Sequence, residues 1–108
     1  DAVIDLEGGF DKNLKADRIY IYFHFYDAPW LPNPQRLRNV ASLGFSLWRG
    51  GDRVLIHCAQ GINRSSLVNG VILNLHGYPG KEAVGIITAA RPGALLNPIF
   101  RLYLLGLH

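Results

Sequence analysis

Val54-Leu55-Ile56 runs without a polar break into His57-Cys58-Ala59-Gln60-Gly61-Ile62-Asn63-Arg64-Ser65-Ser66, and the chain turns apolar again through Leu67-Val68-Asn69-Gly70-Val71-Ile72-Leu73. A short apolar run, a polar loop with a glycine and a longer apolar run predict a strand, a tight loop and a buried helix over 65–75. Strand, loop and helix N-terminus in that order form an anion cradle. Successive backbone N–H groups can turn inward, and the helix dipole adds partial positive charge at the same point. Cys58, at the start of the loop, lies under that field, which favours its thiolate. Arg64, at the end, offers a planar fork to two oxygens of a tetrahedral anion. Taken alone, the same residues also fit a buried structural cysteine beside a helix-capping arginine.

The pattern His-Cys, five residues, Arg, Ser resembles the signature of the cysteine-dependent protein tyrosine phosphatases, and Gly61 and Ser65 give it the HCxxGxxRS form of the dual-specificity branch. Further on, Arg91-Pro92-Gly93-Ala94-Leu95-Leu96-Asn97-Pro98-Ile99-Phe100 resembles that family's RPxAxxNxxF-like region before its last helix. The resemblance runs from about residue 2 to the end and lacks the family's usual N-terminal strand region. It implies that Cys58 attacks phosphorus to form a cysteinyl-phosphate. The phosphate-binding loop would be Ala59, Gln60, Gly61, Ile62, Asn63 and Arg64, with Arg64 clamping two oxygens. Ser65 would hydrogen-bond the sulfur and help it leave, although a plain helix N-cap explains a serine there equally well. His57 would be a buried support that stiffens the loop.

A leaving alkoxide or phenoxide needs a proton, so a carboxylic acid must come from elsewhere in the chain. Asp27 lies 31 residues before Cys58, at a strand end in a proline-rich loop, where the family's general acid sits. The competing account is a loop aspartate that only caps a turn. Asp52 falls at the wrong end of the Cys58 strand, and Asp5, inside an apolar run, reads as structural.

Around this centre, Ala2-Val3-Ile4-Asp5-Leu6 and Ile19 to Phe25 read as strands, and the polar segment Phe10 to Asp17 as a helical turn. Asn33-Pro34 is an N-cap and N1 pair, followed by Leu37, Val40, Ala41, Gly44, Leu47 and Trp48 at helical spacing; Gly50-Gly51 closes that helix. A helix over Lys81–Ala90 would face Ala83, Val84, Ile86 and Ile87 inward. Asn97-Pro98 starts a last helix, with Leu102 to Leu107 closing the core. Strands alternating with helices predict an α/β domain, residues 1–108, with a mainly parallel central sheet flanked by helices and right-handed crossovers. The active site of such a sheet lies at the carboxyl ends of its strands.

One cysteine among 108 residues excludes an internal disulfide framework and paired-cysteine zinc sites, and the four histidines lack metal-ligand spacing. No cofactor or metal is expected. A working thiolate suits a reducing compartment, so a cytoplasmic location is expected. The apolar runs are too short to span a membrane, and no secretory signal pattern is present. The chain opens on Asp1 rather than methionine, within a strand-like run, which points to trimming or processing. Residues 1–27 carry six acids and three bases, whereas residues 28–108 carry two acids and eight bases. The basic part holds the loop and would attract phosphorylated substrates. No arginine run interleaved with aromatics points to nucleic acid.

The expected partner is a phosphorylated protein or peptide. The predicted function is hydrolysis of phosphotyrosine, and of phosphoserine and phosphothreonine, because so short a chain has few segments with which to wall a deep pocket. The alternatives are a phosphatase of RNA 5′-triphosphate or inositol phosphate, or a binding module without turnover. The absence of basic residues at Ala59, Gln60, Ile62 and Asn63 weighs against inositol phosphates, while Asn63 before Arg64 keeps the RNA option open.

Overall fold

The computed structural model describes residues 1–8, 17–58 and 62–108. Three parallel strands, β1 (Ala2–Asp5), β2 (Ile19–Tyr22) and β3 (Val54–His57), lie in the order β2-β1-β3, with four helices. They are α1 (Pro34–Arg49), α2 (Arg64–His76), α3 (Gly80–Ala90) and α4 (Pro98–Leu105). This is the expected α/β architecture with a parallel sheet.

β1 takes the centre because every residue of it can be buried, as a parallel strand covered on both faces requires. Ala2 stands opposite Ile19 and Val54, and Asp5 opposite Tyr22 and His57, so all three strands end at one level. That common end brings Asp5, Tyr22 and His57 to one rim, immediately before Cys58. β2 stops at Tyr22 rather than Phe25, because β1 ends at Asp5 and offers no further ladder. Beyond it, Phe23 N–H reaches Asp5 O at 2.9 Å and Phe25 N–H reaches Leu6 O at 3.3 Å, and Phe25 turns into the core.

α1 begins as expected: Pro34 is at N1 and the Asn33 side chain accepts from Arg36 N–H at 3.0 Å. It presses Leu37, Ala41 and Gly44 inward. A Cβ on Gly44 would lie 2.8 Å from Ile4 Cδ1, so the missing side chain is what lets the helix approach β1. α2 is the hub, packing against α1, α3, α4 and β3 and burying Leu67, Val68, Gly70 and Val71. Phe100 and Leu104, one turn apart on α4, complete the core with Ile4, Leu6, Leu37, Leu67 and Leu95. Each fully buried side chain of this size contributes about 1.5–3 kcal/mol relative to exposure.

Several expectations fail at helix edges. Ile86 is 41% exposed, since α3 meets its neighbours through the small Ala83 and Val84. Leu102 is 64% exposed and Leu105 lies outward, because an eight-residue helix buries a single stripe, here Phe100 and Leu104. The helix of the signature starts at Arg64 rather than Ser65. The predicted turn over Phe10–Asp17 lies outside the described residues except for Asp17, which has φ 66°.

Candidate active site

Cys58 is the first residue after β3, buried at 9% exposure and in no disulfide. Ala59, Gln60 and Gly61 lie outside the described residues. The chain is described again at Ile62, whose carbonyl accepts Leu95 N–H at 3.0 Å. That bond ties the end of the loop to the segment before α4, where Leu95 is held at φ 58° and fully buried. Non-glycine residues rarely adopt this left-handed conformation, and burial of the leucine helps hold it.

Asn63 occupies the N-cap position of α2 but makes no capping bond with its side chain. Its amide instead donates to Asp27 Oδ2 at 2.7 Å, and its Oδ1 accepts Asn97 N–H at 2.9 Å. Asp27, exposed on the proline-rich loop, receives a second amide bond on Oδ1 from Asn97 Nδ2 at 2.8 Å. The aspartate and the loop, separated by 36 positions in sequence, therefore meet side chain to side chain. Asp27, Asn63 and Asn97 border an open cleft of about 300 Å³. A more apolar cavity of about 200 Å³, lined by Gly44, Trp48, Ile56 and Ile72, sits between α1, β3 and α2 and includes none of these polar groups.

Arg64 opens α2 and is largely buried. Its Nη1 donates to the Phe25 carbonyl at 3.3 Å, two residues before Asp27, and its Nη2 to Glu7 Oε1 at 3.4 Å. These bonds use two of the five N–H donors of a guanidinium and set the plane in which the others lie. Ser65 is buried in the first turn of α2. The N-cap position belongs to Asn63, so the capping explanation for Ser65 falls away. His57 ends β3, half-buried rather than buried, and its carbonyl accepts Leu6 N–H at 2.9 Å.

Glu7 is positioned by Asp5, whose Oδ1 accepts the N–H groups of Glu7 (3.0 Å) and Gly8 (2.8 Å), while Tyr20 Oη donates to Oδ2. Burial pushes the Asp5 carboxyl up, but Tyr20, the two backbone N–H groups and nearby His57 outweigh it and leave it below the ordinary carboxylate range. The Tyr20 hydroxyl is pushed up to about 12, first by its bond to Asp5 and then by burial. Asp5 is thus structural, as expected. Asp52, near the start of β3, accepts from the N-terminal amine at 3.1 Å, at the opposite end of the sheet from Cys58.

Two residues escaped the sequence reading. Glu7 had no signal beyond following a strand, and Asn97 was legible only as a helix cap. No group of three or more metal-ligating side chains occurs among the described residues, and no described helix is long and apolar enough to cross a membrane.

No family model matches the chain. Dual specificity protein phosphatase 15 of Mus musculus is 30% identical over 89 residues, 82% of this chain. The chain spans 38% of the length of that relative. Among solved structures, human DUSP28 superposes with a TM-score of 0.82 at 21% identity, covering 95% of this chain and 73% of the other. A mouse putative dual specificity phosphatase complexed with zinc tungstate gives a TM-score of 0.83 at 21% identity, over 95% of this chain and 65% of the other. The structure described as Tk-PTP in the active form gives 0.76 at 24% identity, over 97% of this chain and 75% of the other.

Proposed function

We propose that this chain, which belongs to the dual-specificity branch of the cysteine-dependent protein tyrosine phosphatase superfamily, is a single catalytic domain hydrolysing phosphotyrosine, and phosphoserine and phosphothreonine, in proteins. The observation that carries the reading is the Asn63–Asp27 bond of 2.7 Å, which joins the candidate acid to the loop running from Cys58 to Arg64.

In this reading the Cys58 thiolate attacks phosphorus in line with the leaving oxygen. Arg64, oriented by Phe25 O and Glu7, directs its remaining N–H donors at the phosphoryl oxygens, and the N-terminus of α2 supports the developing charge. Ala59, Gln60, Gly61, Ile62 and Asn63 contribute backbone N–H groups to the same anion. As the P–O bond breaks, the Asp27 carboxyl gives its proton to the leaving oxygen, leaving cysteinyl-phosphate and a carboxylate. Asp27 then takes a proton from water. The water oxygen attacks phosphorus and the sulfur departs as thiolate, assisted by the Ser65 hydroxyl. Phosphate leaves with Cys58 and Asp27 restored. A free thiolate is preserved in a reducing compartment, which supports a cytoplasmic setting.

The deciding experiment compares turnover of phosphotyrosine, phosphoserine and phosphothreonine peptides, an inositol phosphate and an RNA 5′-triphosphate at equal concentration. Hydrolysis of the peptides with phosphate release is expected. Preference for either non-peptide substrate would overturn the substrate class, and binding without release on all of them would overturn the enzymatic reading.

A further inference from the structure

We infer that Asn97 is a positioning residue for the general acid, clamping the Asp27 carboxyl together with Asn63 between the start of α2 and the first turn of α4. The inference rests on the proposed role of Asp27 and extends it. Asp27 itself sits on an exposed, proline-rich loop. An aspartate there would ordinarily sample several rotamers, and proton donation requires one. Here both its oxygens are held by side-chain amides, at 2.8 Å from Asn97 Nδ2 and 2.7 Å from Asn63 Nδ2.

Asn97 is built to hold this position. It is buried at 8% exposure, and every polar atom of its side chain is used. Nδ2 also donates to the Ala28 carbonyl at 2.9 Å, so it grips the loop backbone as well as the carboxyl. Oδ1 accepts the N–H groups of Ile99 (3.0 Å) and Phe100 (3.3 Å), capping α4. The cap bonds fix the orientation of the amide, and that orientation aims its N–H at Asp27. Backbone N–H of the same residue binds Asn63 Oδ1, closing a ring of Asp27, Asn63 and Asn97. An N-cap alone would need only the oxygen, and serine would serve there as well. The amide nitrogen is the part that capping does not explain.

Serine and alanine separate the two roles. Asn97→Ser keeps a capping oxygen but has no amide N–H to reach Asp27, whereas Asn97→Ala loses both. If Asn97 positions the acid, both variants lower kcat/KM on an alkyl phosphate on the order of 10–10²-fold, the scale of a misplaced catalytic group. The ratio kcat/KM reports the phosphoryl transfer to Cys58 and not the later hydrolysis common to all substrates, so an aryl phosphate with an activated leaving group is spared in it. Asn97→Ala, which also uncaps α4, loses more thermal stability than Asn97→Ser. In the Asp27→Asn background, neither variant should add a further loss selective for the poor leaving group. Wild-type kcat/KM in Asn97→Ser, equal losses of kcat/KM on both leaving groups, or a selective loss that persists in the Asp27→Asn background would overturn the inference. Asp27→Asn alone separates this failure from failure of the underlying reading. It should lower kcat/KM of the alkyl phosphate by about 10²–10⁴-fold and that of the activated ester far less. If it shows no such selectivity, Asp27 is not the acid and the inference falls with it.

Discussion

Glu7 and Arg64 face each other across 3.4 Å, joining the turn after β1 to the first residue of α2. The carboxylate is about one-third exposed, so the pair contributes little to stability, at most about 1 kcal/mol. Its effect should fall on geometry. Glu7→Ala is expected to lower kcat/KM about tenfold, equivalent to about 1.4 kcal/mol of transition-state stabilisation, while the melting temperature hardly moves. Steady-state kinetics and a thermal melt on the same preparation test this; a large melting shift with unchanged kinetics would assign Glu7 to folding alone. Arg64→Lys should be far worse, since an ammonium cannot make the planar two-point contact.

Cys58→Ser should eliminate turnover while inorganic phosphate still binds, because a hydroxyl does not ionise where a thiol does. Calorimetric titration with phosphate and an aryl-phosphate assay check the two halves. Appreciable turnover in the variant would remove Cys58 as nucleophile. With one cysteine in the chain, peroxide inactivation cannot end in an internal disulfide. Mass spectrometry of the oxidised protein should show oxygen addition or a sulfenamide at Cys58.

The Tyr20–Asp5 bond predicts how stability depends on pH. The Asp5 carboxyl lies below its ordinary value, so its contribution is present above about pH 3.9 and is lost as pH falls through the lowered folded value. Tyr20 is raised to about 12, so its contribution is present below the ordinary tyrosine value and is lost as pH rises toward about 12. Tyr20→Phe should therefore destabilise most near neutrality and converge on the wild type at both extremes. A stability difference that stays constant from pH 3 to pH 11 would contradict this origin.

Glycines at the helix contacts differ in what they tolerate. A Cβ on Gly80 would overlap the Leu104 backbone carbonyl oxygen, which cannot move without displacing α4. One on Gly70 would meet both methyls of the fully buried Leu104, at 2.6 and 2.7 Å, and its Cγ at 3.2 Å. Gly80→Ala should cost about 3 kcal/mol or more, at the upper end of overpacking. Gly70→Ala should cost less, about 1–2 kcal/mol, because side-chain atoms yield more readily than backbone and gained helix propensity offsets part of the crowding. Chemical denaturation of both variants would rank them, and the reverse order would contradict the packing described.

How far the sequence could be read follows from the range of the interactions. The caps at Asn33 and Asn97 were legible because N-cap, proline and apolar stripe are neighbours in the chain. The order of β3, Cys58, Arg64 and α2 was legible for the same reason, since all of it lies in one short run. Asp27 needed the family resemblance to stand out among the acids. Glu7 could not be found, because its significance depends on an Asx turn at Asp5 and on an arginine 57 positions away. Asn97 was found for its oxygen and missed for its nitrogen, since the nitrogen's partner lies 70 positions back. The length of β2 was misread because its aromatic pattern continues past the end of β1, its one neighbour among the described residues.

The ring of Asp27, Asn63 and Asn97 also sets an order in time. Polypeptides emerge N-terminus first at about 5–20 residues per second, and Asn97 follows Cys58 by 39 residues. The ribosome therefore completes the thiol about 2–8 seconds before it supplies the last anchor of the carboxyl. During that interval α4 is absent, Ile62 O lacks its Leu95 partner, and Asp27 lacks its Asn97 anchor. A growing chain thus carries Cys58 before the ring around Asp27 can close, and that ring is completed only with α4.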